Sequence, residues 1–141
     1  MMFKLDPRLE QDTLLIGEFE LSRVLLMNDA RYPWVILVPK EVGVTEVFQL
    51  NEQQQQQLML ESNYVAKQLK TLVDADKMNV AALGNVVSQL HIHHVARTLQ
   101  DETWPAPVWG KGQAVLYSQQ ESDAVIEQLR VSLQEQLQDG L

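Results

Sequence analysis

The chain has 141 residues, of which 19 are acidic and 11 basic, so its formal net charge is −8. Its length fits one domain with a core of its own. The acidic balance excludes an extended nucleic-acid groove, which needs a basic surface. Since the chain contains no cysteine, disulfides and thiolate metal sites are excluded as well, as is usual for a protein of the reducing cytoplasm.

We do not expect the N-terminal residues to form a targeting sequence. Asp6 and Pro7 lie where a signal peptide needs its apolar run. The longest apolar runs are also too short to cross a bilayer. We therefore predict a cytoplasmic location and no membrane partner.

The first part of the chain predicts three strands. Residues 13–27 carry two strands, with Gly17 as a break between them. Asn28 and Asp29 follow, and their side chains can bond their own backbone in a turn. Residues 34–39, with the sequence WVILVP, form an unbroken apolar run that is typical of a central strand.

The remaining elements are two helices and two further strands. A helix is predicted over residues 52–73, after a capping pattern at Asn51. Strands are predicted over residues 78–83 and 88–97, and a second helix over residues 119–137, capped by Ser118. The order β-β-β-α-β-β-α indicates an α+β fold with an antiparallel sheet of about five strands, one long helix and a C-terminal helix.

All three histidines of the chain lie in one short run, residues 88–97, with the sequence SQLHIHHVAR. Side chains alternate between the two faces of a strand. The polar face of this strand would carry Gln89, His91 and His93. The opposite, mostly apolar face would carry Leu90, Ile92 and His94, so His94 requires a hydrogen bond or a place at the sheet margin.

Three interpretations of the histidines remain open from their spacing. They can be structural side chains that are satisfied by hydrogen bonds. Two imidazoles at i and i+2 can also bind zinc, although neither cysteine nor an acidic residue within the strand completes such a site. Thirdly, a neutral imidazole can attack phosphorus and form a covalent intermediate.

The run QLHIHHVAR resembles the signature of the histidine triad superfamily of nucleotide hydrolases and transferases, His-φ-His-φ-His-φ-φ, where φ is apolar. When the two are aligned on Arg97, Gln89, His91 and His93 take the first, second and third triad positions. The order of elements over residues 13–97 is similar to that of the family. The segment ETWPAPVWGKG resembles a bacterial subgroup. The resemblance implies one domain over residues 1–141, with a core at 13–97 and an extension with a helix at 98–141.

The resemblance also implies roles for individual residues. His91 would attack the α-phosphate of a nucleotide such as a phosphoramidate or a dinucleoside polyphosphate, and water would then hydrolyse the nucleotidyl-histidine. His93 would help to hold the phosphate. Phosphate contacts would come from Gly84, Asn85 and Ser88, and ribose contacts from Asn28 or Asp29. A homodimer is implied, and neither a cofactor nor a metal is required.

One position departs from the family pattern. Gln89 stands where the first triad histidine is expected, and an amide cannot take up a proton at neutral pH. We therefore expect either a slow or altered enzyme or a module that binds a nucleotide or a protein without turnover. Further candidates for the site are Trp104, Trp109, Lys111 and Arg97, each of which has an alternative role in covering the core or facing solvent.

Overall fold

The structure is a computed structural model and describes residues 2–139. Within that range it contains three α-helices and five strands. In chain order these are α1 (Pro7–Asp12), β1 (Thr13–Glu18), β2 (Ser22–Met27), β3 (Trp34–Pro39), α2 (Glu52–Val73), β4 (Lys77–Ala81), β5 (Ile92–Arg97) and α3 (Gln119–Ser132). The strands form one sheet in the order β1-β2-β3-β5-β4, and every neighbouring pair is antiparallel. The predicted α+β fold class is confirmed.

Both long helices begin where their capping residues predict. The side chain of Asn51 accepts a hydrogen bond from the backbone N–H of Gln54, whose own side chain bonds back to Asn51. Ser118 and Glu121 make the same reciprocal pair at the start of α3. Each pair satisfies two backbone N–H groups that have no partner within the helix.

Helix α3 ends at Ser132, five residues earlier than the sequence predicts. The chain continues in tight turns, in which the N–H of Leu137 still bonds the carbonyl of Leu133. Leu133 is buried and Leu137 packs against the same cluster. The apolar spacing of the helix therefore continues into the turns. A helix predicted from that spacing is for this reason too long.

The sheet has an apolar cluster on each face. On one face, α2 and α3 cover side chains of β2 and β3 such as Val24 and Leu37. On the other face, Trp34 and Ile36 are covered by Leu9 of α1 and by the segment around residue 108. Both of these covering segments lie outside the core predicted over residues 13–97.

The two C-terminal strands are shorter than predicted. β4 ends at Ala81, and β5 begins only at Ile92. The intervening chain turns at Gly84, whose φ of 77° is readily adopted only by glycine. His91 and Gln89 therefore precede the strand, and the alternation of faces does not extend to Gln89.

Candidate active site

His91 and His93 meet at one cleft on the face of the sheet opposite α2. Their ring centroids are 4.8 Å apart and the rings meet edge to face. Both side chains are largely buried, yet both line a cleft of about 420 Å³. The prediction that these two imidazoles share one face of the sheet agrees with this geometry.

The His91 ring is held with one nitrogen free. Its Nδ1 lies 2.7 Å from the backbone carbonyl oxygen of Gln89. Because a carbonyl only accepts, Nδ1 carries the proton, and Nε2 of the neutral ring keeps its lone pair. Within residues 2–139, Nε2 has no hydrogen-bond partner and is not sealed from solvent. A nucleophilic imidazole needs this arrangement.

In the His93 ring, Nδ1 accepts a hydrogen bond, whereas in the His91 ring Nδ1 donates one. The indole N–H of Trp34 donates to Nδ1 of His93 over 3.0 Å, inside the core. Burial, together with the neighbouring His91 and His94, lowers the pKa of His93 to about 3. The ring is therefore neutral at physiological pH and lies against the cleft.

His94 points to the other face of the sheet and is structural. Its Nδ1–H donates to the carbonyl of Val35 over 3.1 Å, and the hydroxyl of Ser62 in α2 donates to Nε2 over 2.7 Å. Burial lowers the pKa of His94 to about 4, so both ring nitrogens are satisfied in the neutral form. The predicted hydrogen bond is present, but β5 has a neighbour on each side, so His94 is not at the sheet margin.

Gln89, which is predicted to take the first triad position, lies outside the cleft. Its side-chain oxygen accepts from the N–H of Asp6 over 2.8 Å, and its amide nitrogen donates to the carbonyl of Lys4 over 2.9 Å. It does not line the cleft that contains His91 and His93. The Gln89 side chain therefore faces the N-terminal segment rather than the two imidazoles.

The predicted phosphate-binding turn lies only partly at the cleft. Gly84 and Asn85 line it beside His91, together with Val86 and Val87. Ser88 is exposed and faces other grooves, because the chain reverses direction between Asn85 and β5. Two of the three predicted phosphate contacts therefore line the cleft of both imidazoles, whereas Ser88 shares only a small separate cavity with His91.

The predicted ribose contacts lie in an adjoining cavity of about 470 Å³, which shares Asp12, Met27, Trp109 and Gly110 with the cleft.

Both side chains of that predicted pair already have partners. Asn28 accepts from the N–H of Tyr117 over 2.9 Å. Asp29 pairs with Arg31 at 2.8 Å and is buried. Burial acts to raise the pKa of Asp29, but hydrogen bonds from Arg31 outweigh it and hold that pKa below its ordinary value.

Arg97 is buried. It is therefore neither exposed to solvent nor directed towards a phosphate, which are the two alternatives that the sequence left open. Its guanidinium bonds Asp101 at 2.7 Å, and also Asn79, Thr103 and the carbonyl of Ala106. The hydrogen bond from Arg97 lowers the pKa of Asp101. Arg97 thereby fixes the segment that follows β5.

The two tryptophans of that segment have different roles. Trp104 lies against the Arg97 guanidinium, whose central carbon is 5.6 Å from the centroid of the Trp104 ring. Trp109 reaches the cleft, where its ring contacts His93 at a centroid distance of 5.2 Å. Lys111 lines the adjoining cavity.

The contribution of α1 to the cleft is not predicted from the sequence. Arg8, Leu9 and Asp12 all line it. A local signal for this helix exists, because Asp6 caps the N–H of Arg8 and Pro7 occupies the first helical position. Nothing in that signal shows that the helix reaches the histidines.

The part of the chain that the structure describes contains no cluster of three or more His, Asp or Glu side chains placed to hold a metal ion. Nor does any helix in residues 2–139 have the length and apolar character needed to cross a membrane.

The chain is similar to known proteins of one family. The model of the HIT domain family matches residues 8–99. A histidine triad protein from Marinobacter aquaeolei VT8 is 46% identical, with a TM-score of 0.94 over 96% of this chain and 99% of its own. One from Bradyrhizobium japonicum is 44% identical, with a TM-score of 0.91 over 94% and 98%. None of the curated proteins matches the chain significantly.

The fold extends to more distant proteins. A hypothetical histidine triad nucleotide-binding protein from Sulfolobus tokodaii is 15% identical, with a TM-score of 0.66 over 91% of this chain and 88% of its own. That similarity shows the fold alone. The family match and the two closer relatives show that this chain belongs to the HIT domain family.

Proposed function

We propose that this protein binds a nucleotide and transfers its nucleotidyl group through His91. The substrate would be a phosphoramidate or a dinucleoside polyphosphate, and the acceptor would be water or another nucleophile. The single observation that carries this proposal is the His91 tautomer, in which a backbone carbonyl holds the proton on Nδ1 and leaves Nε2 free beside the cleft.

The proposed chemistry has two steps. In the first, the lone pair of His91 Nε2 forms a bond to the α-phosphorus. The bond to the leaving group breaks, and the leaving group departs with the electron pair and takes up a proton from solvent. In the second, water attacks the same phosphorus and gives up a proton to solvent, the P–N bond breaks with its electron pair returning to Nε2, and a nucleoside monophosphate is released while His91 becomes neutral again.

The residues around His91 support the binding of phosphate. Gly84 and Asn85 bring a turn with accessible backbone to the cleft, and such turns can donate N–H groups to anions. Positioned donors account for most of the stabilisation in phosphoryl transfer. The adjoining cavity, which Asn28 and Asp29 line, offers room for the nucleoside.

A covalent adduct on His91 is the expected result of mixing the protein with a labelled nucleotide substrate and quenching rapidly. Peptide mass spectrometry should find the nucleotidyl mass on the peptide that contains residues 91–94, with fragmentation assigning it to His91. Base rather than acid should be used for quenching, because a P–N bond to histidine is labile in acid. Saturable nucleotide binding without any adduct or turnover would instead favour a module that only binds.

A substitution of Arg8 can distinguish a phosphate leaving group from a neutral amine. Arg8 is the only Lys or Arg among the described residues lining the cleft, and its one ion pair, with Asp12, is long at 3.9 Å and exposed. We expect Arg8→Ala to raise KM for a dinucleoside polyphosphate by about 10-fold, because a charge-assisted contact to the leaving phosphates is lost. KM for a phosphoramidate with a neutral amine should change little.

Steady-state kinetics with both substrates measure this effect. Arg8→Lys serves as the matched control, since it keeps the charge and should retain most of the affinity. An equal change in KM for the two substrates would show that Arg8 does not contact the leaving group.

The homodimer and the cytoplasmic location are also proposals. β4 forms one edge of the sheet, and Val80 on this strand is 49% exposed. An unpaired edge of this kind is suited to pairing with a second copy of the chain.

A further inference from the structure

Trp34 and His93 form a direct hydrogen bond between two side chains that are 59 positions apart in the sequence. Trp34 is the first residue of β3 and lies opposite Val95 of β5, while His93 lies opposite Ile36. Both side chains are about 95% buried. The bond between indole Nε1 and imidazole Nδ1 is 3.0 Å long.

The direction of this bond follows from chemistry. An indole N–H can only donate, so Nδ1 of His93 must accept and cannot carry a proton. A neutral imidazole then has its single proton on Nε2. Within residues 2–139, His93 Nε2 has no protein partner and is not sealed from solvent.

We propose that Trp34 is a positioning residue whose indole N–H fixes His93 as the Nε2–H tautomer, so that His93 presents a proton donor to a phosphate oxygen in the cleft. The second half of this statement rests on the proposed function. The first half, the tautomer itself, does not depend on any activity.

The two neighbouring rings thereby become complementary. His91 has a lone pair at Nε2 because a carbonyl holds its other nitrogen, and His93 has a proton at Nε2 because an indole holds its other nitrogen. One ring can attack phosphorus while the other donates to an oxygen on it. With Gln89 turned away to the N-terminal segment, His93 is the imidazole left to fill the donor role.

Trp109 provides a matched comparison on the same imidazole. Its ring contacts His93 edge to face at 5.2 Å, close to the 5.7 Å between Trp34 and His93. Its indole nitrogen, however, is buried without a hydrogen-bond partner among the described residues. The two tryptophans therefore differ in hydrogen bonding to His93 and share aromatic packing against it.

The test is the protonation of the two His93 nitrogens, read from long-range ¹H–¹⁵N correlation spectra of the uniformly labelled protein. In the wild type, Nδ1 should be unprotonated and Nε2 protonated. Trp34→Phe should convert this to a mixture of the two neutral tautomers, whereas Trp109→Phe should leave the wild-type pattern. Phenylalanine keeps an aromatic ring in both cases.

Turnover is the second measurement. We expect Trp34→Phe to lower kcat by about 10- to 100-fold with a smaller change in KM, as for the loss of one donor to a developing charge. Thermal unfolding of each variant identifies one that fails to fold.

The outcomes are separable. A wild-type His93 protonated on Nδ1 would overturn the proposal without any variant, and so would a folded Trp34→Phe protein with an unchanged tautomer. If the tautomer changes as expected but the wild type turns over no nucleotide, the role of Trp34 in fixing the ring holds and the proposed function fails. A changed tautomer with unchanged kcat would overturn the donor role.

Discussion

Replacing His91 with alanine is expected to lower the turnover of a nucleotide substrate by at least about 10⁴-fold, on the scale seen when other enzymes lose their nucleophile. The variant removes the free Nε2 on which the covalent step depends. Gln89 cannot replace it, because its amide is bonded to the N-terminal segment and lies outside the cleft. His93 cannot replace it either, since Trp34 holds the nitrogen that would have to carry the proton if Nε2 were to attack.

The measurement compares initial rates for wild type and His91→Ala, together with nucleotide affinity by calorimetry. Affinity should change much less than turnover, because the remaining contacts of the cleft stay in place. A variant that retains more than a tenth of wild-type turnover would rule out His91 as the nucleophile. Far-ultraviolet circular dichroism provides the control for folding. We expect the variant to fold, because the one hydrogen bond that the ring makes within residues 2–139 is to the carbonyl of Gln89.

The features that the sequence predicts correctly depend on residues that are close together in the sequence. The caps of α2 and α3 involve residues only three positions apart, so the pattern alone contains the interaction. The proximity of His91 and His93 follows from the two-residue period of an extended chain. These signals do not require knowledge of where any other segment lies.

The features that the sequence could not show depend on contacts between distant segments. Gln89 bonds residues more than 80 positions earlier, which decides that it leaves the cleft. Asp29 is held partly by the N–H of Val115, 86 positions away. From the sequence, Arg97 is expected to be an exposed cation, and only the fold around it shows that the residue is buried. No periodicity encodes such pairings.

The helix α1 illustrates a signal that was present but incomplete. Asp6 and Pro7 mark a helix start, yet a six-residue helix has too few apolar positions to reveal which surface it covers. Leu9 is the residue of this helix that becomes buried. Its packing on the sheet brings Arg8 and Asp12 to the histidines, so the N-terminal segment completes the cleft.

The two buried neutral histidines should make the fold sensitive to mild acid. Burial lowers the pKa of His93 to about 3 and that of His94 to about 4, from an ordinary value of 6.5. In the unfolded chain both rings take up protons as the pH falls through 6.5, whereas in the folded protein they stay neutral until their lowered pKa values are reached. Stability is therefore full above pH 6.5 and is lost as the pH falls towards 4.

We expect the free energy of unfolding to fall by about 4 kcal/mol between pH 7.5 and pH 5, with the two histidines contributing about equally. Urea unfolding at the two pH values measures the difference. His93→Gln should remove about half of it, because glutamine does not titrate, while His94 under α2 continues to contribute. The acidic groups with lowered pKa values, among them Asp29 and Asp101, ordinarily titrate below pH 5 and so add little in this range. A free energy of unfolding that stays constant over this range would mean that the two imidazoles accept protons as readily in the folded protein as in the unfolded chain, and the lowered pKa values of His93 and His94 would then be wrong.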